Sequence, residues 1–381
     1  MLIASTGWSM MQYRTVLIDA FAGRGLRVTA LADLDAGQAA ELRRRGAEPI
    51  ALPLEPAGMN PAQDLAYLAR LAGHLRRVRP DVAHVFNTKP ALYGAIAAKL
   101  AGVPGIVASI TGRGILASGK RRWLSSLVRP LMKIAIAGRT RCIFQNPDDR
   151  AWYLEQGLVD PARATLIPGS GVDTEQLRPD PDVPPSARRA FVLASRMLRS
   201  KGIEDFVAAA RRVKASHPEA EFVLFGGSRE DYGSKNPDFI ETAWLEALNR
   251  EGVVAWRGFT PPAQVYSAMQ RAAAVVLPSY YPEGVPRTLI EGAAAGAPII
   301  TTDTPGCRDL VLPERSGFLV APRSPDQLAR AMTTLLEDPD RIRAMSTASR
   351  EHAAGFDSRL IIQKTLEVYR DALGRPLEQA G

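Results

Sequence analysis

Cysteine and histidine are scarce in this chain of 381 residues. Two cysteines, Cys142 and Cys307, and four histidines, His74, His84, His217 and His352, are scattered without metal-ligand spacing. A disulfide framework and a zinc-finger-type centre are thereby excluded, and both thiols read as reduced core residues of a cytosolic protein. No apolar run reaches the roughly 18 residues that a membrane-spanning helix needs. The start, Met1-Leu-Ile-Ala-Ser-Thr-Gly-Trp8, has no basic n-region and no long apolar h-region. It reads as a first strand entering a glycine-containing loop, not as a signal peptide. No Gly-x-Gly-x-x-Gly follows any expected strand, which counts against a nicotinamide oxidoreductase. Asp-x-Asp pairs occur at Asp33/Asp35, Asp180/Asp182 and Asp338/Asp340. Their settings, a loop after an early strand, a proline-rich stretch and a late interhelical turn, argue against metal-dependent chemistry, so no obligatory metal is expected.

Acidic residues are missing from one long stretch. Between Asp81 and Asp148 there is none, while Lys89, Lys99, Arg113, Lys120, Arg121, Arg122, Arg129, Lys133, Arg139 and Arg141 are all present. Residues 1 to 185 hold 23 Lys and Arg against 16 Asp and Glu, so this half carries nearly all of the net charge of +8. Beside the cations, Trp123, Leu124, Leu127, Val128 and Leu131 follow helical spacing. A basic helix with Trp and Leu anchors suits the surface of an anionic membrane, at roughly 1 kcal/mol per cation close to the headgroups. Lys120, Arg121, Arg122, Trp123 and Leu127 are the expected membrane contacts. An ordinary amphipathic helix, its charges in water and its apolar side in the core, competes with this reading. A nucleic-acid partner is not expected, because no aromatic-interleaved strand motif or zinc finger accompanies the basic patch.

What is present is a double α/β alternation. In the first half, strands are expected near 2–5, 26–32, 49–54, 82–86, 106–110, 142–145 and 165–168, with helical patterns between them. Arg178-Pro-Asp-Pro-Asp-Val-Pro-Pro185 is dense in proline and reads as an extended linker. A second alternation has strands at 191–195, 222–225, 253–256, 274–277, 299–302 and 318–320, and helices at 203–214 and 326–336. The expected fold is thus α/β, with two Rossmann-like domains facing each other across a cleft. Residues 1–177 form the first domain, 178–188 the linker, 189–355 the second domain, and 356–381 a C-terminal helix that packs back on the first.

The densest motif is Tyr281-Pro-Glu-Gly-Val-Pro-Arg-Thr-Leu-Ile-Glu-Gly-Ala-Ala-Ala-Gly-Ala-Pro-Ile-Ile300. It places Glu283 and Glu291 around an expected helix start, after a buried strand. In parallel sheets such loops face a ligand crevice at the carboxyl ends of the strands. The N–H groups of the first turn, near Gly284 to Thr288, lie where partial positive charge suits phosphate or sugar oxygens, and Gly284, Val285 and Pro286 are expected to line the donor there. Glu291, further into the helix, can accept a bidentate pair of hydrogen bonds from vicinal hydroxyls such as those of a ribose. Arg196 and Lys201 lie in a strand-to-helix loop at the same sheet edge, where two cations can neutralise a diphosphate. Gly226 follows another strand and permits close approach of backbone to a ligand.

Segment 278–300, with its glutamate, seven residues, glutamate pattern, resembles the donor-sugar motif of glycosyltransferase family 4, the retaining enzymes of GT-B fold. Arg257-Gly258-Phe259, Asp303-Thr-Pro-Gly306 and Ser316-Gly-Phe-Leu-Val320 extend the resemblance over essentially the whole chain. It implies transfer of a sugar from a nucleotide diphosphate with retention of configuration. By this resemblance Glu283, Arg196 and Lys201 are catalytic, Arg-x4-Lys-Gly is the diphosphate-binding pair, and Arg257, Gly258 and Phe259 line the base pocket. Gly7 belongs to the counterpart of the family's glycine-containing loop. Many members have a histidine before a glycine where this chain has Thr111-Gly112. The Thr-Lys-Pro at 88–90 and Thr-Gly-x-Gly at 111–114 instead resemble a branch of hexosamine transferases that extend sugars on undecaprenyl diphosphate. Asn87, Lys89, Thr111 and Arg113 are then acceptor-binding candidates. The reading is a peripheral membrane transferase on the inner face of the cell membrane. It takes a UDP-N-acetylhexosamine and a polyprenyl-diphosphate-linked acceptor, with no metal cofactor. A soluble acceptor, or a non-catalytic nucleotide-sugar-binding scaffold, is the alternative, and the oligomeric state is open.

Overall fold

The computed structural model describes residues 1–54, 61–113, 116, 122–232 and 236–377. The chain forms two compact units, Met1–Ser170 joined by the segment from Arg359 onward, and Gly171–Ser358. In the first, the described strands are Leu2–Thr6 (β1), Val28–Asp33 (β2), Ala47–Ala51 (β3), Val82–Phe86 (β4), Gly105–Ile110 (β5), Thr140–Phe144 (β6) and Ala164–Leu166 (β7). They pair in the order β3-β2-β1-β4-β5-β6-β7, every neighbour parallel. In the second they are Ala190–Ala194 (β8), Glu221–Phe225 (β9), Ala255–Trp256 (β10), Ala272–Leu277 (β11), Ile299–Thr302 (β12) and Gly317–Val320 (β13). Their order is β10-β9-β8-β11-β12-β13, again all parallel.

Near-continuous apolar runs make these strands, because both faces of each sheet are covered. Phe191 and Leu193 of β8 enter one core while Val192 between them enters the other. Ile3 of β1 likewise points opposite to Leu2 and Ala4. In each sheet the chain order reverses once, between β1 and β4 and between β8 and β11. Each reversal opens a crevice at the carboxyl ends of the two strands.

The passage between the units differs from the sequence expectation. The proline-rich segment expected to link two domains at 178–188 lies on the second unit. Val172 and Leu177 before it are buried in that unit's core. Arg271 pairs with Asp180 at 3.0 Å, and Arg188 donates to the Gly296 carbonyl and to Ser346 Oγ, each at 3.1 Å. Prolines here fix the route of a docked strap, and the passage between units falls earlier, at Ser170/Gly171. Ser358–Leu373 forms the last helix, and its Ile361, Ile362, Leu366, Val368 and Tyr369 share a core with Leu2, Ala4 and Ala30 of the first unit.

Candidate active site

In the second unit the loops that leave β8 and β11 meet. After β8, Arg199–Lys201 makes one 3-10 turn that Gly202 ends at φ 77° before helix Ile203–Ser216. A Cβ on Gly202 would lie 2.1 Å from the Pro278 carbonyl oxygen, so only glycine lets the two loops touch. The contact carries Lys201 to Glu283: Nζ donates to Oε1 at 2.5 Å, with both side chains about 15% exposed. Ser279 Oγ stands 3.0 Å from the same oxygen, and Glu283 N donates to the Pro305 carbonyl at 3.2 Å. Arg196, exposed at the end of β8, forms no ion pair among the described residues. The two cations and Glu283 therefore do share the reversal point of this sheet.

Helix Arg287–Ala294 begins three residues after Gly284, with Pro286 as its N-cap and no side-chain capping bond. Val285 and Pro286 are buried, Val285 in the core. Glu291 sits one turn into the helix and is only 7% exposed. Its Oε1 accepts from Arg287 Nε at 2.7 Å and from Tyr266 OH at 3.2 Å. Burial raises its proton affinity, and Arg287 beside it opposes that.

Other expected donor residues sit as follows. Gly226 has φ 143°, and a Cβ there would lie 1.7 Å from the Ser195 carbonyl oxygen. Close packing of the β8 and β9 loops explains this glycine. Gly226 N donates to the Gly258 carbonyl at 2.9 Å, tying in the β10 loop, where Arg257 is exposed and Phe259 is 67% exposed. Phe259 meets the Tyr232 ring edge-on at 6.3 Å. Gly7 does not lie in a loop. It opens helix Gly7–Tyr13, capped by Thr6 Oγ1, and packs against the Asp33 carbonyl.

In the first unit, the helix that opens after β1 and the chain leaving β4 and β5 converge. Ser9 Oγ donates to Asn87 Oδ1, and Asn87 Nδ2 to Thr111 Oγ1, each at 3.4 Å. Asn87 has φ 73° and ψ 159°, a region almost reserved for glycine. Its side chain thus joins the two neighbouring loops at the reversal point. Lys89 and Arg113 are each held in an ion pair. Lys89 pairs with Asp64 at 2.8 Å, and Arg113 Nε donates to Asp149 Oδ1 at 2.7 Å. Asp149 is 1% exposed and also receives Asn146 Nδ2, so burial raises its proton affinity while Arg113 and Asn146 hold it down.

Of the expected membrane contacts, Lys120 and Arg121 lie outside the described residues, as do the side chains of Arg122, Trp123 and Leu127. Helix Arg122–Ile136 shows a face that composition did not reveal. Met132, Ala135 and Ile136 are buried, while Leu131 and Ile134 are 44% and 58% exposed. Lys99 caps its end, donating to the Ile134 and Ala137 carbonyls, and the adjacent Leu100 is 59% exposed. Cys142 and Cys307 are buried free thiols, pushed up to about 12 and about 11 by burial. Among the described residues no cluster of three His, Cys, Asp or Glu is placed to hold a metal ion.

The pattern of the glycosyl transferases group 1 family matches residues 178–352, and that of the glycosyl transferase 4-like domain matches residues 10–169. The chain belongs to the family 4 glycosyltransferases. It is 25% identical over 382 residues to the N,N'-diacetylbacillosaminyl-diphospho-undecaprenol alpha-1,3-N-acetylgalactosaminyltransferase of Campylobacter jejuni, spanning 96% of this chain and 97% of that one. It is 26% identical over 287 residues to the UDP-Gal:alpha-D-GlcNAc-diphosphoundecaprenol alpha-1,3-galactosyltransferase of Escherichia coli, spanning 72% and 71%. A glycosyltransferase structure from Rickettsia africae superposes with a TM-score of 0.75 over 98% of both chains at 18% identity. The transferase has the GT-B fold that the motif implied.

Proposed function

We propose that this glycosyltransferase moves a sugar, an N-acetylhexosamine, from a UDP-sugar to a polyprenyl-diphosphate-linked saccharide, with retention of configuration. The observation that carries the reading is the contact of Lys201 with Glu283 at the reversal point of the second sheet, with Arg196 in the same loop after β8. The cations take the donor's diphosphate and the charge that grows on it as the glycosidic bond breaks. Glu283 accepts from sugar hydroxyls and Glu291 from the ribose. A leaving-group phosphate oxygen takes the proton of the incoming hydroxyl on the same face, so this chemistry asks for no protein base. The named substrates of the Campylobacter and Escherichia relatives support a lipid diphosphate acceptor. On the first unit the Ser9–Asn87–Thr111 cluster is its candidate contact, and Lys89 and Arg113 serve by shaping the loops.

This reading also places the enzyme peripherally on an anionic membrane. No helix among the described residues is long and apolar enough to cross one. Exposed Leu131 and Ile134 on the cationic helix favour surface attachment over a fully solvated face. The test mixes UDP-sugars with polyprenyl-diphosphate-linked and soluble saccharides, following UDP release and product mass. Product on the lipid acceptor is expected. Equal product on soluble acceptors defeats the acceptor assignment, and UDP binding without turnover on any acceptor favours the scaffold.

A further inference from the structure

We propose that Arg287 and Tyr266 are positioning residues of the donor site, holding Oε1 of Glu291 so that Oε2 is left to accept the ligand's vicinal hydroxyls. The proposal rests on the reading of Glu291 as the ribose-binding carboxylate and adds what makes that carboxylate competent. Among the described residues, both hydrogen bonds made to Glu291's carboxylate land on one oxygen, from Arg287 Nε at 2.7 Å and Tyr266 OH at 3.2 Å. Arg287 precedes Glu291 by four residues on the same helix, which puts the two on one face. Tyr266 comes from a separate helix, Pro262–Gln270, so the carboxylate is held from two directions.

Turning it would break a charge-assisted bond inside the protein, which is why its orientation is fixed before the ligand arrives. Charge is fixed as well. A carboxyl this buried favours its neutral form, which cannot accept through both oxygens, and Arg287 is the main group opposing that. Of the charged groups on packed elements, Arg350 lies at the far end of the helix on the Ala294 carbonyl. Arg308 and Asp309 occupy the short turn after β12. Arg287 Nη1 also donates to the Gly171 carbonyl at 3.3 Å, a contact that Tyr266 does not share.

The experiment is calorimetric titration of the full chain with UDP from pH 5.5 to 8.5, for wild type, Arg287→Met, Arg287→Lys, Tyr266→Phe and Glu291→Gln. Affinity should rise with pH as Glu291 ionises. Arg287→Met should bind UDP about tenfold or more weakly at pH 7, with the midpoint of its pH dependence moved up by about one unit or more. Arg287→Lys should return the midpoint towards wild type, and Tyr266→Phe should weaken binding a few fold. Glu291→Gln should bind weakly at every pH. A purely structural role would lower affinity without moving the midpoint, and that result overturns the proposal. So does wild-type affinity and midpoint in Arg287→Met and Tyr266→Phe. Wild-type affinity in Glu291→Gln, or no UDP binding by the wild type, defeats the underlying ribose reading and the proposal with it, and only those two outcomes do so.

Discussion

Lys201 and Arg196 are cations of the same site held in opposite ways, and the difference separates catalysis from stability. Lys201 neutralises a largely buried carboxylate, so its removal takes a charged donor from Glu283, which Ser279 Oγ also meets. Arg196 is exposed and makes no ion pair there. Both replacements by Ala should lower turnover by about 10²-fold or more if each meets charge developing on the diphosphate. Only Lys201→Ala should also lower the melting temperature, since an exposed, unpaired arginine contributes within about 0.5 kcal/mol. Thermal melts beside kcat measurements check this; unchanged turnover in both variants removes them from the site. At this scale the sequence was legible where a position depends on local spacing. That Glu283 and Lys201 share one sheet edge was readable because strand ends in a parallel sheet converge. The ion pairs of Lys89 and Arg113 were not readable, because their partners, Asp64 and Asp149, come from other helices and nothing local signals them. Tyr266 was missed for the same reason.

Elements were legible wherever burial on both sides of a sheet writes an apolar run, and illegible where a segment's fate depends on docking. The strap at 178–188 is one case, since proline density looks alike in a free linker and in a docked one. The last helix was expected to pack back on the first unit and does so, but beside its apolar contacts it has a polar fastening that no local pattern announced. His84 of β4 is buried, with Nδ1 2.7 Å from Tyr369 OH and Nε2 2.8 Å from Ser109 Oγ. Burial holds its proton affinity well below the ordinary histidine value, helped by the charges of Arg14 and the Met1 amine. The native state therefore keeps His84 neutral while the unfolded chain protonates near pH 6.5. Below that pH the unfolded state binds more protons, so this contribution is intact above about pH 6.5 and is lost on acidification. The slope from this one group can reach about 1.4 kcal/mol per pH unit. His84→Asn should be less stable at pH 8 yet show a shallower fall between pH 7 and 5. Denaturant melts at each pH test it, and parallel slopes would remove His84 as the source.

On the scale of the whole molecule, charge and exposed apolar surface fall on the same unit, and each alone would mean little. Scattered exposed leucines are ordinary, and a basic segment is usually a solvated face. Their coincidence on helix Arg122–Ile136, in a stretch without acids, is what points to a lipid surface. The charge was visible in the sequence. Exposure of Leu131 and Ile134 was not, because helical spacing cannot say which of two apolar stripes faces the core. Cations act on anionic lipid over a Debye length of roughly 8–10 Å at ordinary ionic strength, whereas inserted leucine and isoleucine act by removing apolar area from water. Salt should therefore weaken, but not abolish, sedimentation with anionic vesicles, and neutral vesicles should bind less. Charge reversal at Lys120, Arg121 and Arg122 should remove the preference for anionic lipid. Leu131→Glu with Ile134→Glu should remove the part that resists salt. Both variants should keep wild-type UDP affinity, since their positions belong to the first unit and Arg196, Lys201, Glu283 and Glu291 to the second. Equal sedimentation of the wild type with neutral and anionic vesicles, or none with either, would defeat electrostatic anchoring and turn the search towards a soluble acceptor.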